Sequence, residues 1–408
     1  MRTLLLKKTT IIFAALLLGF SQSYSQTGCT DPLANNYDPS ATQNDGSCTY
    51  DVTSILPTNS YTLYATIDET SGLIYFNNSL WTQNDSADPN LYELNPADGA
   101  ITNSVSLAPE INQDWEEISQ DEDYVYVGDF GNNVNGNRTN LHIIRVSKAS
   151  MQTGTLEMDI INFTYADQVD FTPTGANNTD YDCEAFIVTD DSIYLFTKEW
   201  VSKKTRLYKM PKTPGTHQAQ LQDTYNVSGL VTGSVYKKDE GIIALSGYSN
   251  TLQPFVVLLY DFTAEDFFGA NKRKLGLNLP FHQIEGITTV DGLNYFITNE
   301  KFTTIPTAQK LHTLDLTAYL EAYLSVSPVE GSARFKIFPN PVTTILQVED
   351  NESLFPINYT VFDITARQVK QGILTGQNAT IDVSEFSSGT YILKLGQKTI
   401  NSFRIIKE

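Results

Sequence analysis

The chain has 408 residues, enough for two or three domains with a real core, and 11% of them are aromatic, with 22 Tyr and 21 Phe. Its formal net charge of −20 repels phosphate backbones and anionic lipid, which argues against nucleic acid as a partner and is compatible with cation binding. Aromatic, Thr and Val content suits half-buried strands, and helical periodicity is scarce after the first twenty residues.

Residues 1–26 read as a signal peptide. Arg2, Lys7 and Lys8 precede an apolar run from Ile11 to Phe20, and Ser21 to Gln26 form a small, polar exit. The run is shorter than the ~20 residues that a bilayer core demands. No later stretch qualifies as a membrane span. Cleavage near Ser25 or Gln26 removes three cations and no acid, leaving an even more acidic mature chain.

Residues 27–50 contain GCTDPLANNYDPSATQNDGSC, bracketed by Cys29 and Cys48. Export places them in an oxidising space, where these two cysteines are expected to pair. The segment resembles a small cysteine-bracketed acidic module of secreted Bacteroidetes proteins. Asp31, Asp38 and Asp45, with Asn44 and Gly46, are similar to oxygen-rich calcium loops but lack EF-hand spacing. The alternative is a disulfide-closed cap or spacer. Cys183 is left as a buried thiol. The four histidines (His142, His217, His282, His312) lack ligand spacing, which disfavours zinc and a Cys/His nucleophile.

Residues 51–324 repeat. Five first strands begin at Ser71, Glu116, Glu184, Thr232 and Glu285, each followed by a second and a third strand. Four-strand units at this spacing predict an all-β fold, a five-bladed β-propeller. Tyr61 to Ile67 would supply the missing fourth strand of the last unit and close the ring. Six blades are the alternative, because the stretch from Glu116 to Glu184 is long enough to hide strands. Two packed β-sandwiches come third.

In a propeller the first strands line the axis, so the aligned residues Glu116, Glu184 and Glu285 converge on one channel mouth. They would repel one another unless a cation, a proton or a basic group intervenes. The ends of the second strands add Asp85, Asp129, Asn132 and Asn299 as candidate metal ligands. Oxygen donors without His or Cys favour calcium. Lys198, Trp81, Trp115 and Tyr248 are candidate ligand contacts. The predicted function is an exported propeller that binds an unknown extracellular ligand, with a divalent cation, at this acidic face. The alternatives are a hydrolase using Glu116, Glu184 and Glu285, glycosidase-like or calcium-dependent, and an inert or adhesive scaffold. The pattern DWEEI, YVYVGDFGNN, NGNR, EAF and IEGI resembles secreted Bacteroidetes propeller proteins without a settled activity.

Residues 325–334 read as a linker, and residues 335–408 as a separate domain. Phe338-Pro339-Asn340-Pro341 opens it, Asp363 to Arg367 follows, and Gly389 and Tyr391 lie in SGTYILK before a basic end. This order of motifs resembles the type A sorting tail of the type IX secretion system. The resemblance implies a small C-terminal β-sandwich, recognition by the type IX machinery, passage through the periplasm, and secretion or display at the outer-membrane surface.

Overall fold

The computed structural model describes residues 26–325, 335–350, 355–363, 367–376, 378–396 and 401–407. The predicted signal peptide lies outside them but for Gln26, as does the linker but for residue 325.

Four short strands come first: β1 (Thr27–Gly28), β2 (Gln43–Asn44), β3 (Thr53–Ile55) and β4 (Asn59–Thr62). Four antiparallel units follow in chain order. The first is β5 (Thr70–Phe76), β6 (Ser79–Asn84), β7 (Asn90–Leu94) and β8 (Ile101–Ser106). The second is β9 (Trp115–Gln120), β10 (Tyr124–Asp129), β11 (His142–Ser147) and β12 (Met158–Tyr165), with helix α1 (Lys148–Thr153) before its last strand. The third is β13 (Cys183–Val188), β14 (Ser192–Thr197), β15 (Thr205–Pro211) and β16 (Gly215–Tyr225). The fourth is β17 (Leu230–Lys237), β18 (Ile242–Tyr248), β19 (Pro254–Tyr260) and β20 (Asn271–Leu277). A fifth set, β21 (Ile284–Thr289), β22 (Asn294–Asn299) and β23 (Lys310–Asp315), is completed by β4 from the amino terminus.

The first strands touch in cyclic order: β5 packs on β9, β9 on β13, β13 on β17, β17 on β21, and β21 returns to β5. Apolar clusters fill the gaps between successive sheets. Ile74, Trp81 and Leu91 of the first meet Trp115, Ile118 and Val125 of the second. Leu73 and Leu94 of the first likewise meet Leu311 of the last. Inner strands are therefore covered on both faces and read as continuous apolar runs, as in Pro254–Tyr260, which is buried throughout. Outer strands alternate, as in Asn271–Leu277. This is the propeller architecture expected from the sequence.

The ring-closing strand begins earlier than expected. Its residues are Asn59–Thr62, with Tyr61 opposite Leu311, and Ala65–Ile67 forms a 3-10 turn instead. Leu63 and Ile67 are drawn into the core just beyond the strand, which bends the chain away from the sheet edge. The long stretch before Glu184 holds β11, β12 and then a loop over residues 166–182. Strand β12 also pairs in parallel with β16, joining two units into one eight-stranded sheet.

Cys29 and Cys48 form the expected disulfide, with Cα atoms 4.8 Å apart. The module it closes docks on the fourth unit. Asp31 accepts hydrogen bonds from the hydroxyls of Tyr50 at 2.8 Å and Tyr260 at 2.5 Å, and Asn44 donates to the carbonyl of Asp261 at 3.0 Å. Strand β3 lies parallel to β20 as a fifth strand of that sheet. Asp38 and Asp45 accept from the backbone amides of Ser40 and Ser47, which uses their oxygens to shape turns.

After α2 (Thr317–Ser325), the carboxyl-terminal region forms β24 (Phe335–Phe338), β25 (Ile345–Asp350), β26 (Ile357–Asp363), β27 (Gln368–Leu374), β28 (Asn378–Asp382), β29 (Gly389–Leu395) and β30 (Asn401–Lys407). They make a three-stranded and a four-stranded sheet that share one apolar core, including Leu346, Val361 and Leu393. Phe338 ends β24 partly exposed, and Asn340 accepts from the amide of Ile406 at 2.8 Å. The Tyr391 hydroxyl donates to the carbonyl of Ser387 at 2.9 Å.

Candidate functional site

The aligned first-strand positions share one backbone feature. Pairing between first and second strands skips Glu116, Glu184 and Thr232, each the extra residue of a bulge, and skips Glu285 with Gly286. In the first unit the irregularity falls directly after Ser71. A bulge frees a residue from the pleat and re-aims its side chain. Ser71 and Thr232 use that freedom to donate to the neighbouring units, at the carbonyls of Glu116 and Ile284. The three glutamates turn into a central cavity instead.

That cavity has a volume of about 200 Å³. Glu116, Glu184 and Glu285 reach it from the first strands, and Asp85, Lys198, Tyr248 and Glu300 from the second strands or just beyond them. Asn133 and Asn177 come from two loops stitched together by the Asn177 amide on the Asn133 carbonyl at 2.7 Å.

Glu116, Asp182 and Glu184 bring carboxylate oxygens within 4.8 Å of one another, all three side chains being buried. Asp182 is held in place by the amide of Asn132 at 2.6 Å and the indole N–H of Trp200 at 2.7 Å. The ammonium of Lys198 bonds to Glu184 and faces the rings of Trp200 at 4.8 Å and Tyr248 at 5.3 Å. Calcium binds oxygens at roughly 2.3–2.6 Å, so oxygens this close together can surround one ion. The three residues can hold a metal ion.

Burial dominates the titration of the whole cluster. It pushes Glu116 well above the usual carboxylate range, helped by Glu184, Asp114 and Asp182. Burial also raises Glu184, against the pull of Lys198. For Lys198, burial alone would lower the ammonium, but Glu184 and the surrounding acids hold it well above its ordinary value. Burial, opposed by Lys198 and reinforced by Glu300 and Asp85, lifts Glu285 to about 8. Glu300 is lifted by burial to about 7, and Asp85, by burial and the adjacent Glu69, to about 8.

Of the residues selected from sequence, Glu116, Glu184, Glu285, Asp85, Lys198 and Tyr248 line the cavity. The others are engaged elsewhere. Asp129 accepts from the guanidinium of Arg138 at 2.5 Å and from the Gln113 amide at 3.1 Å. The Asn132 side chain ties its own loop, donating to the Tyr181 carbonyl and accepting from the Arg138 amide. Asn299 bonds to the carbonyls of Glu300 and Ala308 and to His312. Trp81 and Trp115 pack in the core between the first two units, where burial of their apolar surface outweighs any role at the rim.

Asp182, Trp200, Asn177 and Gln283 were not selected from sequence. Asp182 and Trp200 lie two residues from Glu184 and Lys198, so the two-residue period of an extended chain was an available signal. Glu117 was missed as well and has a different role. It is fully buried and accepts from the amides of Ile118 at 2.9 Å and Ser234 at 2.7 Å, tying the second unit to the fourth across the axis.

A ring of antiparallel sheets whose first strands surround a polar cavity defines a β-propeller. Residues 336–408 match the family described as "Secretion system C-terminal sorting domain", so this is a type IX secretion sorting-domain protein, marked for export to the cell surface or beyond. No curated protein sequence matches the chain. Among solved structures, it is similar to the glutaminyl cyclase of Myxococcus xanthus, at 10% identity and a TM-score of 0.41, over 65% of this chain and 98% of that one. It is also similar to the WD40 repeats of RRP9, at 7% identity and a TM-score of 0.34, over 64% and 99%. Among the described residues, no helix is long and apolar enough to cross a membrane.

Proposed function

We propose that the protein is an exported five-bladed propeller that binds an extracellular ligand at the central cavity together with a divalent cation, calcium first. The carboxylates of Glu116, Asp182 and Glu184 would hold the ion. The supporting observation is their buried convergence within 4.8 Å, with only Lys198, among the described residues, bonded to the group as a counter-charge. A hard dication relieves that repulsion more completely than one ammonium can, and all-oxygen donors suit calcium over softer metals. When bound, the ion would supply a positive point to which a ligand oxygen could attach. Lys198, Trp200 and Tyr248 would orient that ligand. The hydrolase reading draws on the same carboxyls, but Trp81 and Trp115, selected as ligand contacts, are in the core, and no observation favours it over binding.

Calorimetry of the mature chain with calcium against EDTA tests this. Calcium should raise the melting temperature, and Asp182→Asn should abolish that rise while the variant still melts cooperatively. An equal melting temperature in calcium and EDTA for the wild type would sink the metal reading.

A further inference from the structure

The cavity has two chemically unlike sides. One carries Glu116, Asp182 and Glu184 with Lys198. The other carries Asp85, Glu285 and Glu300, contributed by the first and fifth units. Lys198 bonds directly to Glu184 and acts on Glu285 and Glu300 only through space, and among the described residues no ion pair reaches Asp85, Glu285 or Glu300. Glu285 lines the cavity and is only 6% exposed, and its buried Oε2 has no hydrogen-bond partner. Oδ1 of Asp85 is buried without a donor, and the Glu69 carboxyl lies beside it.

A buried acceptor left unsatisfied costs on the order of 1–3 kcal/mol, and neighbouring carboxyls add mutual repulsion. A positively charged N–H donor arriving from solution relieves both. A bare metal fits this side less well, because Glu116, Asp182 and Glu184 meet the 4.8 Å ligand spacing, and Asp85, Glu285 and Glu300 do not. An alkyl ammonium directs three donors outward and reaches acceptors spread around it. Tyr248 and Trp200, which already face one ammonium, offer aromatic surface to a second. A cavity of about 200 Å³ restricts the buried part of the ligand to the size of a side chain.

We propose that Asp85, Glu285 and Glu300 form a subsite for the protonated amine of a small aliphatic ligand. This rests on the central cavity being the ligand site, but not on a metal at Glu116. Burial and the neighbouring acids keep these three carboxyls partly protonated near neutrality, so the amine would displace protons as it binds.

The test is titration calorimetry of the mature full-length chain with putrescine, in EDTA near pH 8, with butanediol as the uncharged isostere. Putrescine should bind saturably and butanediol should not. Glu285→Gln should weaken putrescine by at least about tenfold while keeping the calcium-induced rise in melting temperature, and Asp182→Asn should do the reverse. Glu300→Gln gives the same reading if the first variant fails to fold. Absence of putrescine binding at millimolar concentration, equal binding of butanediol, or unchanged affinity in both glutamine variants would overturn the subsite. Calcium dependence that survives those results leaves the metal reading standing, and putrescine binding without calcium dependence removes the metal alone.

Discussion

Lys198 is the most exposed to consequence of any single side chain at the site. Its ammonium is buried, bonded to Glu184 and faced by two aromatic rings, so each partner depends on the other for its charge. Removing one member of a buried pair strands the other, which costs about 3–5 kcal/mol. Lys198→Met is therefore expected to lose about that much stability in EDTA by urea unfolding, and to regain part of it in calcium, which can compensate Glu184. A loss that calcium does not reduce would show that the two cations do not share the carboxylate. Glu184 and Lys198 were both legible from sequence because strand starts and ends can be aligned. Asp182 lies two residues outside the aligned position, where only the two-residue period of an extended chain points to it. Asp129 looked like a ligand because its partner Arg138 arrives from a loop nine residues on, a contact that no strand pattern encodes.

At the scale of elements, the decisive contact is β4 on β23. Ser60 Oγ lies 2.7 Å from Nδ1 of His312, and Nε2 of the same ring lies 2.9 Å from Asn299 Oδ1. The imidazole thus joins the amino-terminal strand to two strands of the fifth unit. Ser60→Ala leaves a ring nitrogen without its partner, and an expected loss of about 1–3 kcal/mol should appear as a lower midpoint in urea. The ring itself was readable because four-strand units repeat and a strand-like segment precedes the first. The bounds of the closing strand were less so. Tyr61 to Ile67 keeps a strand-like composition, and only the burial of Leu63 and Ile67 in the core shows where the chain leaves the sheet. The bulges that turn the glutamates inward left only indirect traces, such as Gly286 beside Glu285.

For the whole molecule, the acidic cavity and the closure histidine pull stability in opposite directions with pH. Glu285 and Asp85 titrate near 8 and Glu300 near 7, all above their ordinary values, so the folded chain holds protons that the unfolded chain releases. Their contribution is complete at acid pH and is lost as pH rises through about 7 to 8. His312, lowered by burial to about 3, contributes above its ordinary value of 6.5 and loses that contribution as pH falls below it. In EDTA the melting temperature should therefore decline from pH 6 to about pH 8. Calcium, which replaces protons on the carboxylates, should stabilise more at the alkaline end. A melting temperature independent of pH across that window would contradict the proton count of the cavity.

The pairing of β4 with β23 also fixes a timetable. Ser60 and its partner are separated by 252 positions, so one of the first strands of the ring waits for its last, β23. Joining such distant segments carries the entropy of closing a long loop and slows assembly. Until residues near 312 have been made, the amino-terminal strand has no partner to lock against. The same arrangement sets a limit on trimming. Proteolysis that stops before Asn59 leaves the ring shut, and a cut a few residues further removes its clasp.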